Sequence, residues 1–201
     1  ALPAGLGKLL GDEPLSAGNA AEITSRILAE TDPAHRMAAL ALLLESMSPE
    51  NARAVRQGFL DSTARTGRRH DGEWALMVRK LGEVLGEEGY REMGPEPYNL
   101  ALAMEGWAAV DPDAAEAAMK GDKSYHSDVN NAWLTGLCRR DTDKALLVAL
   151  TGKFPAMNAG VLMTQAINSK GIDGARDALQ KALDASPEEA AASPNFRGLF
   201  D

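Results

Sequence analysis

A chain of 201 residues can form one large domain or two small ones with a real core, and its average apolar fraction, few aromatics and many alanines suit close-packed helices and exclude disorder. A net charge of -8 repels phosphate backbones and excludes general nucleic-acid binding unless cations cluster, and the nearest cluster is only Arg65, Arg68, Arg69 and His70. Cys138 is alone, so no intrachain disulfide forms, and the longest apolar run, Met37 to Leu44, is far too short for a membrane span.

The chain begins at Ala1 without an initiator methionine, which fits a mature exported protein as well as a trimmed chain; the expectation leans to an exported or periplasmic location and otherwise to the cytoplasm. Asn19 followed by Glu22 is a variant of the capping box and predicts a helix start. Asp32-Pro33 and Ser48-Pro49 each place a capping side chain before a proline that has no amide to lose in the first turn. The helix after Asp32 carries Met37, Leu40, Ala41 and Leu44, is apolar nearly all round, and is therefore predicted to be central. Ala52, Val55 and Phe59 form one face of the next helix. Asp71 is the predicted cap of another, whose apolar face is Trp74, Met77, Val78, Leu81 and Leu85. Gly82, Gly86 and Gly89 line one side of that helix and mark either close packing or a bend.

Gly94-Pro95-Glu96-Pro97 disfavours helix on both sides and sets the expected boundary between an N-terminal helical region, 1–94, and a second region, 95–201. Beyond it the sequence repeats itself every thirty residues: Gly106-Trp107, Gly136-Leu137 and Ala166-Ile167, then Asp113, Asp143 and Asp173, then Ala115, Ala145 and Ala175. Such a period predicts stacked supersecondary units, here three αα-hairpins over about residues 98–185. The packed face of each first helix reads Asn99, Leu102, Ala103, Gly106 and Trp107; Val129, Ala132, Trp133, Gly136 and Leu137; and Ala159, Leu162, Met163, Ala166 and Ile167. Trp107 aligns with Leu137 and Ala103 with Trp133, so large and small side chains trade places between layers. The small residue at 106, 136 and 166 lets a neighbouring helix come close. Asp111 and Asp141 are predicted to cap the second helices, and Gly171 stands at that place in the third unit. Arg139 and Arg140 are placed to meet the negative end of a helix. No stretch alternates with a period of two, so no sheet is expected. The predicted fold is all-α: a short right-handed solenoid of αα-hairpins with an N-terminal helical bundle.

The stretch Gly106-Trp107-Ala108-Ala109-Val110-Asp111-Pro112-Asp113-Ala114-Ala115 resembles the unit of bacterial αα-repeat proteins that carry Trp, three residues, Asp-Pro and a downstream Ala, similar in style to tetratricopeptide repeats. The likeness covers about residues 98–185, with both Trp and Asp-Pro present in the first unit only. It implies a scaffold that holds a protein or peptide. If the first helices line the inner surface, as that style of protein implies, the partner meets Met104 and Glu105, then Asn131, Leu134 and Thr135, then Thr164, Gln165 and Asn168. Asn131, Gln165 and Asn168 offer donors and acceptors to an extended backbone, and Met104 and Leu134 add apolar contact. The plain alternative is a solvated face of three helices.

Chemistry finds little purchase. His70, Asp71 and Glu73, or His126 with Asp128, combine imidazole with carboxylate as zinc or manganese sites do, but a polar helix start and a capped loop explain them as well. Gly121-Asp122-Lys123-Ser124 ends like a phosphate loop without the earlier glycine. No nucleophile elbow, zinc-protease helix or dinucleotide fingerprint occurs. Cys138 reads as a small apolar helix residue, and Trp74, Trp107 and Trp133 as core. The expectation is no catalytic residue, no metal and no cofactor. The alternatives are a helical enzyme or metal-binding domain using either histidine region, and a purely structural domain of a larger envelope protein.

Overall fold

In the computed structural model, which describes residues 15–67, 70–121, 127–150 and 159–188, every regular element is an α-helix. The fold is all-α. In chain order the helices are α1 (Ala20–Ala29), α2 (Pro33–Glu45), α3 (Ala52–Thr66), α4 (Asp71–Leu85), α5 (Glu87–Arg91), α6 (Pro97–Val110), α7 (Pro112–Gly121), α8 (Ser127–Arg140), α9 (Thr142–Leu150) and α10 (Ala159–Ala185).

The aspartate caps form as their chemistry dictates. Asp32 accepts from the amides of Ala34 and His35 at 2.8 and 3.2 Å, Asp111 from Ala114 at 3.1 Å, and Asp141 from Lys144 at 3.0 Å, so amides left over at three helix starts find acceptors. The expected caps at Asn19 and Ser48 do not form. Asn19 turns back to accept from the Ser16 amide at 2.8 Å, and Glu22 pairs with Arg26 instead. After Ser48-Pro49 the chain makes one turn, and the helix starts only at Ala52. Nor does Asp71 cap α4: it is the first helical residue, and His70 takes the capping position without a side-chain bond to the helix amides.

Close approach of backbones is the organising device. In the N-terminal part α1 packs on α3, and a methyl added at Gly58 would stand 2.5 Å from the Ala21 carbonyl oxygen. The helix predicted to be central, α2, lies at the side: it buries Ala39, Leu40, Leu43 and Leu44, while Met37 is 38% exposed and Ala41 faces solvent. Phe59 meets the edge of Trp74 at 6.0 Å, which joins α3 to α4.

Helix α6 lies between α4 and α8. Gly82 of α4 sits against Ala103 and the Trp107 amide, Gly106 of α6 against the Arg79 carbonyl, and Gly136 of α8 against the Glu105 carbonyl and the Ala108 methyl. At each of these points a side chain would hold the helices apart. Gly82 and Gly89 therefore mark packing, Gly89 lying against the Leu81 carbonyl. Gly86 makes the turn into α5 at φ 58° and ψ -126°, a conformation that favours glycine, beneath the Trp107 indole. The 94–97 turn connects two regions whose helices α4 and α6 pack against each other across it.

The shorter helices α5, α7 and α9 pack beside this row. Trp133 donates its indole N–H to the Pro112 carbonyl at 2.9 Å, and Trp74 donates to Asn99 Oδ1 at 2.9 Å. Arg140 donates to the carbonyl of Val110, its counterpart thirty residues earlier at the C-terminal end of α6, where a cation is favoured. Asp113 pairs with Lys144, and Asp143 with Lys170. Helix α10 turns at Gly171, with φ 73° and ψ 173°, at the place that Asp111 and Asp141 hold earlier.

Candidate functional site

Where α8 meets α10 the row loosens. Gly136 lets α8 sit directly on α6, but the corresponding residue of α10 is Ala166, and α8 packs much more extensively on α6 than on α10. At the Gly136 contact even one added carbon would meet the Glu105 carbonyl, and Ala166, buried at the corresponding place of α10, carries that carbon. The result is an open groove of about 350 Å³ lined by Glu105 of α6, by Thr135, Cys138 and Arg139 of α8, and by Gln165, Asn168 and Ser169 of α10. In the thirty-residue frame the lining repeats a set of positions: 105, 135 and 165; 138 and 168; 139 and 169.

Charge at the groove is balanced. Glu105 takes Arg79 at 2.7 Å and Arg139 at 3.8 Å; Arg139 also reaches Glu83 at 3.3 Å, and Glu83 takes Lys80 at 3.0 Å. One guanidinium on α8 thus faces carboxylates on both α4 and α6. Burial pushes the Cys138 thiol up, against a hydrogen bond with Thr142 and the charge of Lys170, which favours the protonated form of this buried cysteine. The Gln165 carbonyl oxygen is buried and accepts no hydrogen bond among the described residues.

Of the residues expected to meet a partner, Glu105, Thr135, Gln165 and Asn168 are brought together in this groove. Met104 and Leu134 are not available to a partner. They are 0% and 2% exposed, because the face they occupy is covered by packing within the helix row. Asn131 is half-buried and Thr164 exposed, both outside the groove lining. Thr164 and Asn168 are exposed where Met104, Leu134, Ala108 and Cys138 are buried at the same positions of α6 and α8, so the apolar contact surface gives way to polar side chains at α10. Reading single helices missed Cys138, Arg139 and Ser169. The signal was in the frame: each lies four residues after a chosen position, on the same helical face.

The metal alternatives fare differently. Glu73 is tied to Arg36 at 2.7 Å in a largely buried pair. Burial alone would raise its pKa, but the hydrogen bond and charge of Arg36 outweigh burial and lower it. His70 is buried and Asp71 exposed. No group of three His, Cys, Asp or Glu side chains that could hold a metal occurs among the described residues. His126, Arg68, Arg69 and most of the Gly121 to Ser124 motif lie outside the described residues, while Asp128 is exposed in the first turn of α8. Arg65 donates to Ser25 at 3.3 Å.

No family model matches the chain, and neither a curated protein nor a solved structure matches it. Function has to be argued from the groove itself. Among the described residues no helix is long and apolar enough to cross a membrane.

Proposed function

We propose that this chain is a non-enzymatic helical scaffold that holds a protein or peptide partner in the groove between α8 and α10. In this reading the pairs α6 and α7, α8 and α9, and the two halves of α10 are αα-hairpins of a short right-handed solenoid, in the style of the bacterial repeat proteins that the Trp-x3-Asp-Pro segment resembles. One observation supports it above the others: Glu105, Thr135, Gln165 and Asn168, which the repeat frame selects as partner-facing, line a single groove. Its volume is at the small end of ligand sites, so a short extended segment fits better than a folded surface.

The test is selection of binders from a displayed random peptide library, followed by affinity measurement on variants. Replacing Gln165 and Asn168 together by alanine is expected to weaken a selected peptide by about tenfold or more while the melting temperature stays within error. Asn131→Ala, outside the groove, is expected to change neither. Full affinity in the Gln165/Asn168 double variant places the partner elsewhere.

A further inference from the structure

We infer that the groove takes a carboxylate of its partner, from an acidic side chain or the free C-terminal end of a peptide, and that Arg139 receives it. This rests on the reading of the groove as the partner site and specifies the chemistry that the partner brings there.

Exposure separates the charges around the groove. Arg139 stands on the α8 wall with 49% of its side chain exposed, whereas Glu105 beside it is 15% exposed and Glu83 20%. Both carboxylates are also engaged from within: Glu105 holds Arg79 at 2.7 Å and Glu83 holds Lys80 at 3.0 Å, while Arg139 reaches them only at 3.8 and 3.3 Å. Three cations thus share two carboxylates, and the most exposed cation has the longest contacts. A guanidinium carries five N–H donors in a planar fork that matches a carboxylate, and contacts this long leave part of the fork for an incoming one.

The α10 side has the same bias. Lys170, the residue after Ser169, acts on the Cys138 thiol of the groove wall through its charge, and it shares Asp143 with Lys181, at 2.8 and 3.5 Å. Asn168, exposed in the lining, adds a side-chain NH2 as a neutral donor. The chain as a whole carries -8, but physiological salt screens exposed charges more than about 8 Å apart, so the nearest side chains decide. A cationic group would have to approach Arg139 to reach carboxylates that already hold closer partners. A neutral group gains little from the guanidinium beyond what water supplies. No large apolar side chain lines the groove, which leaves charge as its selective feature.

The test is titration of the full chain, labelled with ¹⁵N, with three peptides: acetylated Gly-Ala-Gly-Ala with a free C-terminal carboxylate, the same peptide as its C-terminal amide, and acetylated Gly-Ala-Asp-Ala amide. Each acidic peptide is expected to shift the amide signals of Thr135, Cys138 and Ser169 and the Nε–H of Arg139; the neutral one is expected to bind about tenfold more weakly or not at all. The tighter of the two acidic peptides names the source of the carboxylate. Arg139→Gln is expected to abolish the difference between acidic and neutral peptides, and Arg139→Lys, which keeps the charge, to retain it. Glu83→Gln, outside the lining, removes a competitor for Arg139 and is expected to tighten the acidic peptides by about twofold to fivefold, a gain that damage to the fold does not produce. Equal binding of neutral and acidic peptides, or an acidic preference that survives Arg139→Gln, would sink the inference and leave the scaffold reading intact. Absence of groove shifts with all three peptides overturns it as well. Library-selected peptides that still bind the groove separate that outcome from failure of the scaffold reading.

Discussion

The α-carbon of Gly106 lies directly against the main chain of Arg79, so close that a methyl group there would overlap the Arg79 carbonyl oxygen and stand 2.8 Å from its carbon. Main chain cannot swing aside as a side-chain tip can. The α4–α6 crossing therefore depends on the absence of one carbon atom.

The first prediction follows from that contact and its counterpart at Gly136. Gly106→Ala and Gly136→Ala are each expected to destabilise by about 1–3 kcal/mol through overpacking, with Gly136→Leu worse than Gly136→Ala. Gly72→Ala, whose new methyl would meet nothing within 4 Å, is expected instead to stabilise α4 by up to about 1 kcal/mol. Chemical denaturation midpoints check all four, and equal effects at Gly72 and Gly106 would refute the close contact.

Trp133 is 2% exposed and its indole N–H is satisfied by Pro112. Trp133→Phe keeps most of the apolar volume but leaves that carbonyl without this donor, at an expected cost of about 1–3 kcal/mol. Trp133→Ala is expected to cost about 3–5 kcal/mol. Urea titration of the two variants measures the difference; similar losses would mean that the indole N–H, absent from both, decides the effect and the buried volume does not.

Stability should depend on pH through Glu73. Burial opposes its ionisation, the hydrogen bond and charge of Arg36 outweigh burial, and the folded pKa lies below the ordinary value. A carboxyl with a depressed folded pKa binds more protons when unfolded, so its contribution is complete above the unfolded value and is lost as pH falls through the folded one. Glu73→Gln is expected to be less stable than the parent at neutral pH and to lose less on acidification. Parallel acid limbs for the two proteins would show that Glu73 does not carry this dependence.

Helix caps give a sharper contrast. Asp111→Ala and Asp141→Ala are each expected to cost about 1 kcal/mol, because each removes the acceptor of a first-turn amide. Asn19 makes no such bond to α1, so its replacement takes no acceptor from the first-turn amides of that helix. Thermal melts of the three alanine variants should rank Asn19→Ala as the mildest.

What was legible in the sequence is local. Prolines in first turns, aspartates before them and apolar residues at helical spacing name the helices, and the thirty-residue frame names positions 105, 135 and 165 as equivalents. Failures arose where a helix touches more than one neighbour. Met104 and Leu134 looked exposed because a helix was given an inside and an outside, whereas α6 contacts α4, α5, α7 and α8 and has only a narrow free strip. Gly82, Gly86 and Gly89 could not be sorted into packing or bending from sequence, since the distinction lies in what each meets elsewhere in the fold, and α4 ends before the last two. Asn19 failed as a cap because an asparagine side chain can bond backward as readily as forward. The groove itself was hidden, because it depends on how far α8 and α10 pack on each other, which no single helix's pattern states.

Thr164 and Asn168 set a condition on anyone who would lengthen the molecule. A fresh thirty-residue unit laid against α10, as α8 lies against α6, would bury a hydroxyl already bound to the Gly160 carbonyl and an amide without a counterpart in the earlier units. Inserted between α7 and α8, the same unit would meet Met104 and Ala108, whose side chains ask for no hydrogen bonds. Growth by duplication is open in the interior of the row, and at its far side it requires a substitution at Asn168 first.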